Sequence, residues 1–498
     1  MAKRVQFEPS RTLAEFRLLP GLTTDETTID RVSLRTPLAC RPGADDTVML
    51  KAPVVAAAMQ AVSGAQMGVE LARLGGAAFV YCSQPIEEQA ATVRKIKSHK
   101  AGFVEPTAFG PDVPLRDVDE LRADEGYSTF PIIAEDRKLL GLITRRDYDV
   151  RAHGDLPVSE RMIPREQLDV GVNVRDLEKA NALLIEGHRS VLPVVDEEDR
   201  LLALVFRKDI EDHLDNPDQV VDERKRLIAV AAVNTHDYEE RVPALLDAGA
   251  DVVGIDSSDG HTCYQERAIE WIRGRYPELP VIGGNIITAS GFDFLVEAGA
   301  TAVKVGMGGG SICITQEQKG TGRGLATAVL DVAAARDRYR ERTGTHIPII
   351  ADGGIVHSKD IVIALALGAD SVMMGRYFAR MEESPTEKMR VSGRVMKPYW
   401  GEGSARARTW SPARYNQAGF LEGVEGFVEY AGKLKDNLPE LKTKLRSAMA
   451  SCGCASIQDL HERAELELVS ALSIREGKVH DIIQFGWAED DGPASRVG

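Results

Sequence analysis

The sequence is poor in cysteine, in aromatic residues and in long apolar runs. Its 498 residues include six Cys, and Phe, Trp and Tyr together make up 6%. The cysteines form no CxxC pair, so neither a disulfide framework nor a structural zinc site is expected. No apolar run reaches the length of a membrane span, and MAKRVQFEPS at the N-terminus lacks the apolar core of a signal peptide. We therefore expect a cytoplasmic protein with no membrane partner.

An excess of basic residues is also missing. The 61 Lys and Arg are outnumbered by 76 Asp and Glu, and the net charge is −15. This balance, without any basic block, argues against nucleic acid or an anionic membrane as a partner. A phosphate ligand must therefore be held by a local site.

Short apolar and β-branched runs recur eight times, each followed by a helical stretch. They span residues 53–58, 77–81, 228–233, 252–256, 280–283, 301–305, 348–352 and 371–374. Four of them follow a helix that is predicted to end at glycine, as in RLGGA and DAGAD. Parallel strands joined by crossover helices give this pattern, and eight such units fit a closed barrel better than an open sheet. We predict an α/β fold, a (β/α)8 TIM barrel.

An internal repeat separates the second run from the third. GYSTFPIIAEDRKLLGLITRRD (126–147) is similar to GHRSVLPVVDEEDRLLALVFRKD (187–209), and the repeat resembles a pair of CBS modules. The resemblance implies that Thr144 and Asp147 bind an adenine or guanine nucleotide. The second copy has Phe206 in place of the hydroxyl, which weakens the signature there. The alternative is a domain used only for packing or assembly. The predicted domains are residues 1–104 (first part of the barrel), 105–220 (tandem CBS domain) and 221–498 (rest of the barrel).

Polar residues follow most of the predicted strands, and the carboxyl ends of barrel strands carry the chemistry in this fold. Examples are Asp256, Asn285 and Asp352. Asp256 has an alternative role, since an Asp after a strand often caps the next helix. These residues are predicted to meet around one site.

A glycine-rich loop, residues 306–324, follows the sixth strand and contains Cys313. We call this segment the Cys loop. Its glycines allow close approach of the backbone to a ligand, but it matches neither the dinucleotide nor the P-loop fingerprint. There are two alternative interpretations: the glycines can serve only to form a wide turn, and Cys313 can be a small buried hydrophobic residue without a chemical role. Its position at a strand end favours a nucleophilic role for Cys313.

Three motifs carry a resemblance to a known family over nearly the whole chain. GGGSICIT (308–315), ADGGI (351–355) and MKPYWGEGS (396–404) resemble the catalytic Cys loop, the phosphate and ribose segment and the flap of the inosine-5′-monophosphate (IMP) dehydrogenase family. The resemblance implies NAD-dependent oxidation of IMP to xanthosine monophosphate (XMP) through a covalent Cys313 thioimidate, the committed step of guanine nucleotide synthesis. It also implies a homotetramer.

The resemblance assigns roles residue by residue. Cys313, Thr315, Arg414 and Tyr415 are the implied catalytic residues, with Arg414 and Tyr415 on a mobile flap of about 384–426 that activates water. The implied IMP contacts are Met59, Ser311, Asp352, Gly353, Gly354, Gly375, Arg376, Tyr399, Gly401, Glu402, Gly403 and Glu422. The implied NAD contacts are Asp256, Ser257, Ser258, Asn285 and Gly306.

A monovalent cation, K⁺, is a further implied ligand. Its site would join Gly308, Gly310 and Cys313 to Glu476, Gly477 and Lys478 of a neighbouring subunit, where the Lys478 ammonium would weaken cation binding.

Alternatives stay open for single residues and for the function. Tyr399 can be flap packing, Glu422 a surface charge and Arg414 a solvated loop residue. The rival functions are guanosine-5′-monophosphate (GMP) reductase, against which the Arg414-Tyr415 pair argues, and a non-catalytic nucleotide-sensing CBS protein. The complete set of Cys313, Asp352 and Arg414 argues against the latter.

Overall fold

A closed barrel of eight parallel strands forms the centre of the molecule. The computed structural model describes residues 5–42, 47–99, 102–104, 106–125, 129–410 and 420–480. The barrel strands are β1 (Val54–Ala56), β2 (Ala77–Val80), β3 (Val230–Val233), β4 (Val252–Ile255), β5 (Val281–Ile286), β6 (Ala302–Val305), β7 (Ile349–Asp352) and β8 (Ser371–Met374). Each strand pairs with the next, and β8 closes the barrel on β1 with Val372 opposite Val54. The predicted fold class is confirmed.

Helices surround the barrel. They are α1 (Ala65–Arg73), α2 (Ile86–Lys97), α3 (Tyr238–Asp247), α4 (Cys263–Arg275), α5 (Ala289–Glu297), α6 (Leu325–Thr343), α7 (Ser358–Ala366) and α8 (Leu434–Ser451). The glycines predicted to end helices adopt positive φ, for example 102° at Gly75 and 107° at Gly299. No helix in the described ranges is both long and apolar enough to cross a bilayer.

Strand β5 is longer than the sequence indicates, because it continues past Gly283 to Ile286. The buried side chain of Gln265 on α4 accepts a hydrogen bond from Gly284 N at 2.6 Å and donates one to Gly284 O at 2.8 Å. These two bonds hold Gly284 in the extended strand, in addition to its pairing with Lys304 of β6. Asn285 therefore lies inside the strand, not after it.

A β-hairpin covers the amino ends of the barrel strands. Its strands are Thr36–Cys40 and Thr47–Leu50. Thr36 Oγ1 donates to the carbonyl of Asp370 at 2.6 Å, and Cys40 N donates to that of Thr301 at 3.2 Å. Because this end is closed, the opposite end is left for ligands.

The segment between β2 and β3 folds into two small sheets, one for each copy of the repeat. The first sheet contains Thr129–Ile133, Leu139–Thr144 and Ile163–Pro164; the second contains Phe103–Val104, Gly171–Val172, Val191–Val195 and Leu201–Phe206. Their helices are Leu115–Glu125, Val150–His153, Leu177–Glu186 and Arg207–Asp215, with short 3-10 turns at Val158–Glu160 and Arg165–Gln167. The two copies share a buried cluster that includes Leu139 and Leu142 from one and Val195 and Leu204 from the other.

The remaining elements lie near the flap and the termini. An antiparallel sheet is formed by Met389–Val391, Arg394–Trp400 and Glu425–Glu429. The others are the 3-10 turn Leu13–Glu15, the paired strands Phe16–Leu18 and Leu466–Leu468, and the helices Thr315–Lys319, Arg376–Ala379, Ala405–Trp410, Ile457–Arg463 and Ala471–Glu476.

Candidate active site

A cavity of about 350 Å³ opens at the carboxyl ends of the barrel strands. It brings together residues that the sequence places far apart, from β1, from β4 to β8, from the Cys loop and from the segments around 401 and 422. The predicted site residues that line it are Met59, Asp256, Ser257, Ser258, Asn285, Gly306, Gly308, Gly310, Ser311, Cys313, Thr315, Asp352, Gly353, Gly354, Gly375, Arg376, Tyr399, Gly401, Glu402, Gly403 and Glu422.

Five further residues were predicted for the active site and the cation site. Arg414 and Tyr415 lie outside the described residues. Glu476 ends the helix Ala471–Glu476, and Gly477 and Lys478 follow it. These three do not line the cavity of their own chain.

Cys313 is connected to a buried carboxylate through one hydroxyl group. Its Sγ lies 3.2 Å from Thr315 Oγ1, which in turn donates to Glu422 Oε2 at 3.2 Å. Lys319 Nζ lies 2.8 Å from the other carboxylate oxygen, and the Glu422 side chain is 4% exposed. The alternative of Glu422 as a surface charge is therefore wrong. A thiol, a hydroxyl and a carboxylate in series can pass a proton away from the sulfur.

Asp352, the last residue of β7, is held in a fixed orientation. Asn285 Nδ2 donates to Asp352 Oδ2 at 2.8 Å and to the carbonyl of Gly306 at 2.9 Å. Burial raises the pKa of Asp352; nearby Asp256 adds to this effect, whereas Lys304 and Asn285 oppose it. The side chain is thus an oriented acceptor for ligand hydroxyl groups.

Asp256 follows β4 and does not cap the next helix. The N-cap of α4 is Thr262, whose side chain accepts from Gln265 N. The capping alternative is therefore wrong, and Asp256 lines the cavity together with Ser257 and Ser258.

Tyr399 packs over the end of β8. A side chain at Gly375 would place its Cβ 2.6 Å from the Tyr399 hydroxyl, so the tyrosine would have to move to accommodate it. Burial raises the pKa of Tyr399, and a hydrogen bond to Ser311 opposes the shift. The phenol therefore remains a protonated donor beside Arg376, and this corner of the cavity suits a phosphate.

Comparison with known proteins agrees with this geometry. A family model described as the IMP dehydrogenase / GMP reductase domain matches residues 10–480. The chain belongs to the IMP dehydrogenase / GMP reductase family. It is 45% identical to an inosine-5′-monophosphate dehydrogenase of Tritrichomonas foetus, with 96% of this chain and 97% of the relative covered. It is 41% identical to the Escherichia coli (strain K12) enzyme of that name, with 88% and 90% covered. The family resemblance inferred from the motifs is confirmed.

A solved structure gives the same result. The chain is similar to a cysteine-to-alanine variant of GMP reductase from Trypanosoma brucei in complex with guanosine 5′-monophosphate, with a TM-score of 0.77 and 30% identity. The match covers 96% of this chain and 99% of that one.

Two partners of family site residues were missed by sequence reasoning. Ser83, three residues after β2, donates its hydroxyl to the buried Glu402 carboxylate, and Lys319 pairs with Glu422. The position of Ser83 at a strand end was a usable signal, because the same rule selected Asp256 and Asn285. No local signal marks Lys319.

The buried carboxyl of Asp352 should leave a signature in the pH dependence of stability. Its folded-state pKa is above the unfolded value, so the folded protein binds more protons as the pH falls through that window. The difference in melting temperature, wild type minus Asp352→Asn, should therefore increase as the pH is lowered from about 7 to about 4.

Asp370→Asn is the matched control of opposite sign. Burial by itself would raise the pKa of Asp370. The hydrogen bond to His346 and the charges of His346, His461 and Arg336 outweigh burial and hold this pKa below its usual range. Stability from this group is present above its unfolded pKa and is lost as the pH falls through the folded one. For Asp370→Asn the same difference should stay constant as the pH falls to about 4 and should fall only below that pH. A flat profile for both variants would contradict the assignments.

Proposed function

We propose that this protein oxidises IMP to XMP with NAD. The observation that supports this most directly is the Cys313, Thr315 and Glu422 series inside a cavity that also contains phosphate and ribose acceptors and donors. Relatives bearing the name inosine-5′-monophosphate dehydrogenase at 41% and 45% identity support the same conclusion.

IMP is held by groups at the ends of β7 and β8. Backbone N–H groups of Gly353, Gly354 and Gly375, with Ser311, Arg376 and Tyr399, bind the 5′-phosphate, a common position for phosphate in such barrels. Asp352 accepts from the ribose hydroxyls. The base lies against Met59 and the 401–403 backbone, and its N1 edge faces Glu422.

Oxidation requires a nucleophile at C2 of the purine. The thiol proton leaves through Thr315 toward Glu422, and the Cys313 thiolate adds to C2 while the C2=N3 π electrons move onto N3. The tetrahedral C2 is then a hydride donor, because the N3 electron pair can re-form the double bond as the hydride leaves. Loss of the hydride leaves a thioimidate on Cys313. Asp256, Ser257, Ser258, Asn285 and Gly306 are the residues that fit NAD, since they line the cavity from β4 to β6. When bound, the nicotinamide accepts the hydride.

Hydrolysis then releases XMP. Water adds to C2 of the thioimidate, its proton is taken by a base, and the C–S bond breaks to restore the Cys313 thiol. By family resemblance we assign the base to Arg414, with Tyr415 as its partner. The Thr315 hydroxyl, bonded to Glu422, lies 3.2 Å from the sulfur and offers a second route for the proton.

A monovalent cation beside the Cys loop is part of the proposal. In the described part of the chain no three His, Cys, Asp or Glu side chains are grouped to hold a metal ion. The donors that fit are neutral backbone oxygens of Gly308, Gly310 and Cys313, a type of ligand that suits K⁺. The remaining oxygens, from Glu476 to Lys478, would come from another subunit of a homotetramer. Titration of activity with K⁺ and Na⁺ tests this.

GMP reductase is the second candidate, favoured by the structural similarity to the Trypanosoma brucei enzyme. One absorbance measurement at 340 nm separates the two. Formation of NADH from IMP and NAD supports the dehydrogenase, whereas NADPH oxidation with GMP supports the reductase. If neither absorbance change is observed, the result supports the third alternative, a non-catalytic nucleotide-sensing CBS protein.

We further propose that the insert binds ATP or GTP through its first copy. Asp147 Oδ2 accepts from Thr144 N at 2.6 Å, which places the carboxylate beside the Thr144 hydroxyl at the end of the strand Leu139–Thr144. Asp147→Ala should weaken nucleotide binding roughly 10- to 100-fold, the effect of losing a charged hydrogen bond. Calorimetry on the full chain measures it, with Asp209→Ala as the control in the second copy. Tight binding by both variants would contradict this site.

A further inference from the structure

Three segments around the candidate nucleophile are hydrogen-bonded into one unit. Residues 401–404 pair with 422–424 through Gly401 N to Val424 O at 3.1 Å and Glu422 N to Gly403 O at 3.2 Å. Residues 422–424 pair in turn with 312–314, through Val424 N to Ile312 O and Ile314 N to Glu422 O, both 3.0 Å. We call this unit the stem. Cys313, the candidate nucleophile, lies at its edge, opposite Gly423.

The stem is attached to the barrel through the side chain of Glu402. One carboxylate oxygen accepts from Gln60 N at 2.7 Å, and the other accepts from the Ser83 hydroxyl at 2.5 Å. Gln60 follows β1 and Ser83 follows β2, so a single carboxylate joins the stem to two adjacent barrel strands. All three residues are buried.

A second layer of hydrogen bonds fixes the same attachment. Gln60 Nε2 donates to the carbonyl of Ser83 at 2.9 Å, and Trp400 Nε1 donates to Gln60 Oε1 at 2.9 Å. The side-chain amide of Gln60 therefore both donates and accepts a hydrogen bond within the protein. Since both Glu402 oxygens are engaged as well, the side chain is occupied in anchoring, whereas the backbone on either side of it faces the cavity.

From these contacts we propose that Glu402 is a positioning residue for Cys313, acting through the stem. The inference rests on the proposed function, because the position of the thiol matters only if it attacks a substrate. The carboxylate accepts from both partners at once, whereas a glutamine can keep the bond from Gln60 N only by turning its N–H toward Ser83, which reverses the charged hydrogen bond from the Ser83 hydroxyl into a neutral one. The resulting shift would pass along the two backbone pairings to the Cys loop.

The test uses Glu402→Gln and Ser83→Ala in the full chain, with Glu425→Gln as the matched control. Glu425 is an exposed carboxylate next to the stem that accepts a backbone hydrogen bond from Arg406 N at 3.0 Å. Rapid mixing with saturating IMP and NAD gives the rate constant of the first NADH turnover and, separately, its amplitude. The rate constant reports the geometry at the thiol, and the amplitude reports the fraction of folded active sites.

We expect the first-turnover rate constant to fall about 10- to 100-fold in Glu402→Gln, the usual consequence of a nucleophile displaced by about 1 Å. Ser83→Ala should show a smaller fall, and the double variant should be no slower than Glu402→Gln, since both changes break one attachment. Glu425→Gln should match the wild type.

Two results would overturn the inference. One is an unchanged rate constant with a reduced amplitude, which indicates that Glu402 supports folding only. The other is additive slowing in the double variant, which indicates that Glu402 and Ser83 act separately. If the wild type itself forms no NADH from IMP, the proposed function is wrong, and that outcome is distinct from both.

Discussion

Replacing Cys313 with alanine should abolish NADH formation from IMP and NAD, by at least about 10⁴-fold, because the proposed reaction needs its thiol and no second cysteine lines the described part of the cavity. IMP binding should survive with little change in Kd, since the phosphate and ribose contacts lie on other residues of the cavity, such as Asp352 and Arg376. Absorbance at 340 nm measures the first quantity and calorimetry the second.

Cys263→Ala is the matched control for this prediction. Cys263 is an exposed thiol at the start of α4, and it does not line the cavity. The control should retain full activity. Mass measurement of the intact chain after incubation with IMP and NAD adds a direct check, because the wild type should carry a nucleotide adduct that Cys313→Ala lacks. Substantial NADH formation by Cys313→Ala would end the covalent mechanism.

Arg414→Ala should separate the two half-reactions, because in the proposed mechanism hydride transfer uses Cys313 and bound NAD, whereas hydrolysis uses the flap. The first turnover should be preserved, and hydrolysis should slow by about 10² to 10⁴, the usual contribution of a positioned base. Rapid mixing should then show a burst of about one NADH per active site and a slow steady state, with the Cys313 adduct as the dominant form.

The control for Arg414→Ala is Arg394→Ala, which removes an exposed arginine from the strand Arg394–Trp400 of the same predicted flap segment. It should turn over at the wild-type rate without a burst. If Arg414→Ala behaves in the same way, Arg414 is a solvated loop residue. If the burst disappears together with turnover, the variant has lost substrate binding or folding, and the assignment of the base must be abandoned.

The barrel was predictable because each of its units has a local sequence pattern: a buried β-branched run, a helix and, in several units, a terminal glycine. Strand β5 was predicted too short because its last residues are held by pairing with β6 and, at Gly284, by the side chain of Gln265 on α4, not by their own preference for strands. Asn285 was still predicted correctly as a residue that lines the cavity, because it lies at the carboxyl end of the barrel strands in either case.

Local sequence patterns were enough to predict the barrel, the repeated insert, the family and 21 of the 32 residues that line the cavity, since strand order and short motifs are local properties. Only the tertiary structure decided which of these residues act on one another. The Glu402 bond to Ser83 joins positions 319 residues apart, and the Thr315 bond to Glu422 joins positions 107 apart. No periodicity encodes such a partner, because it depends on how separate segments meet after the barrel has closed.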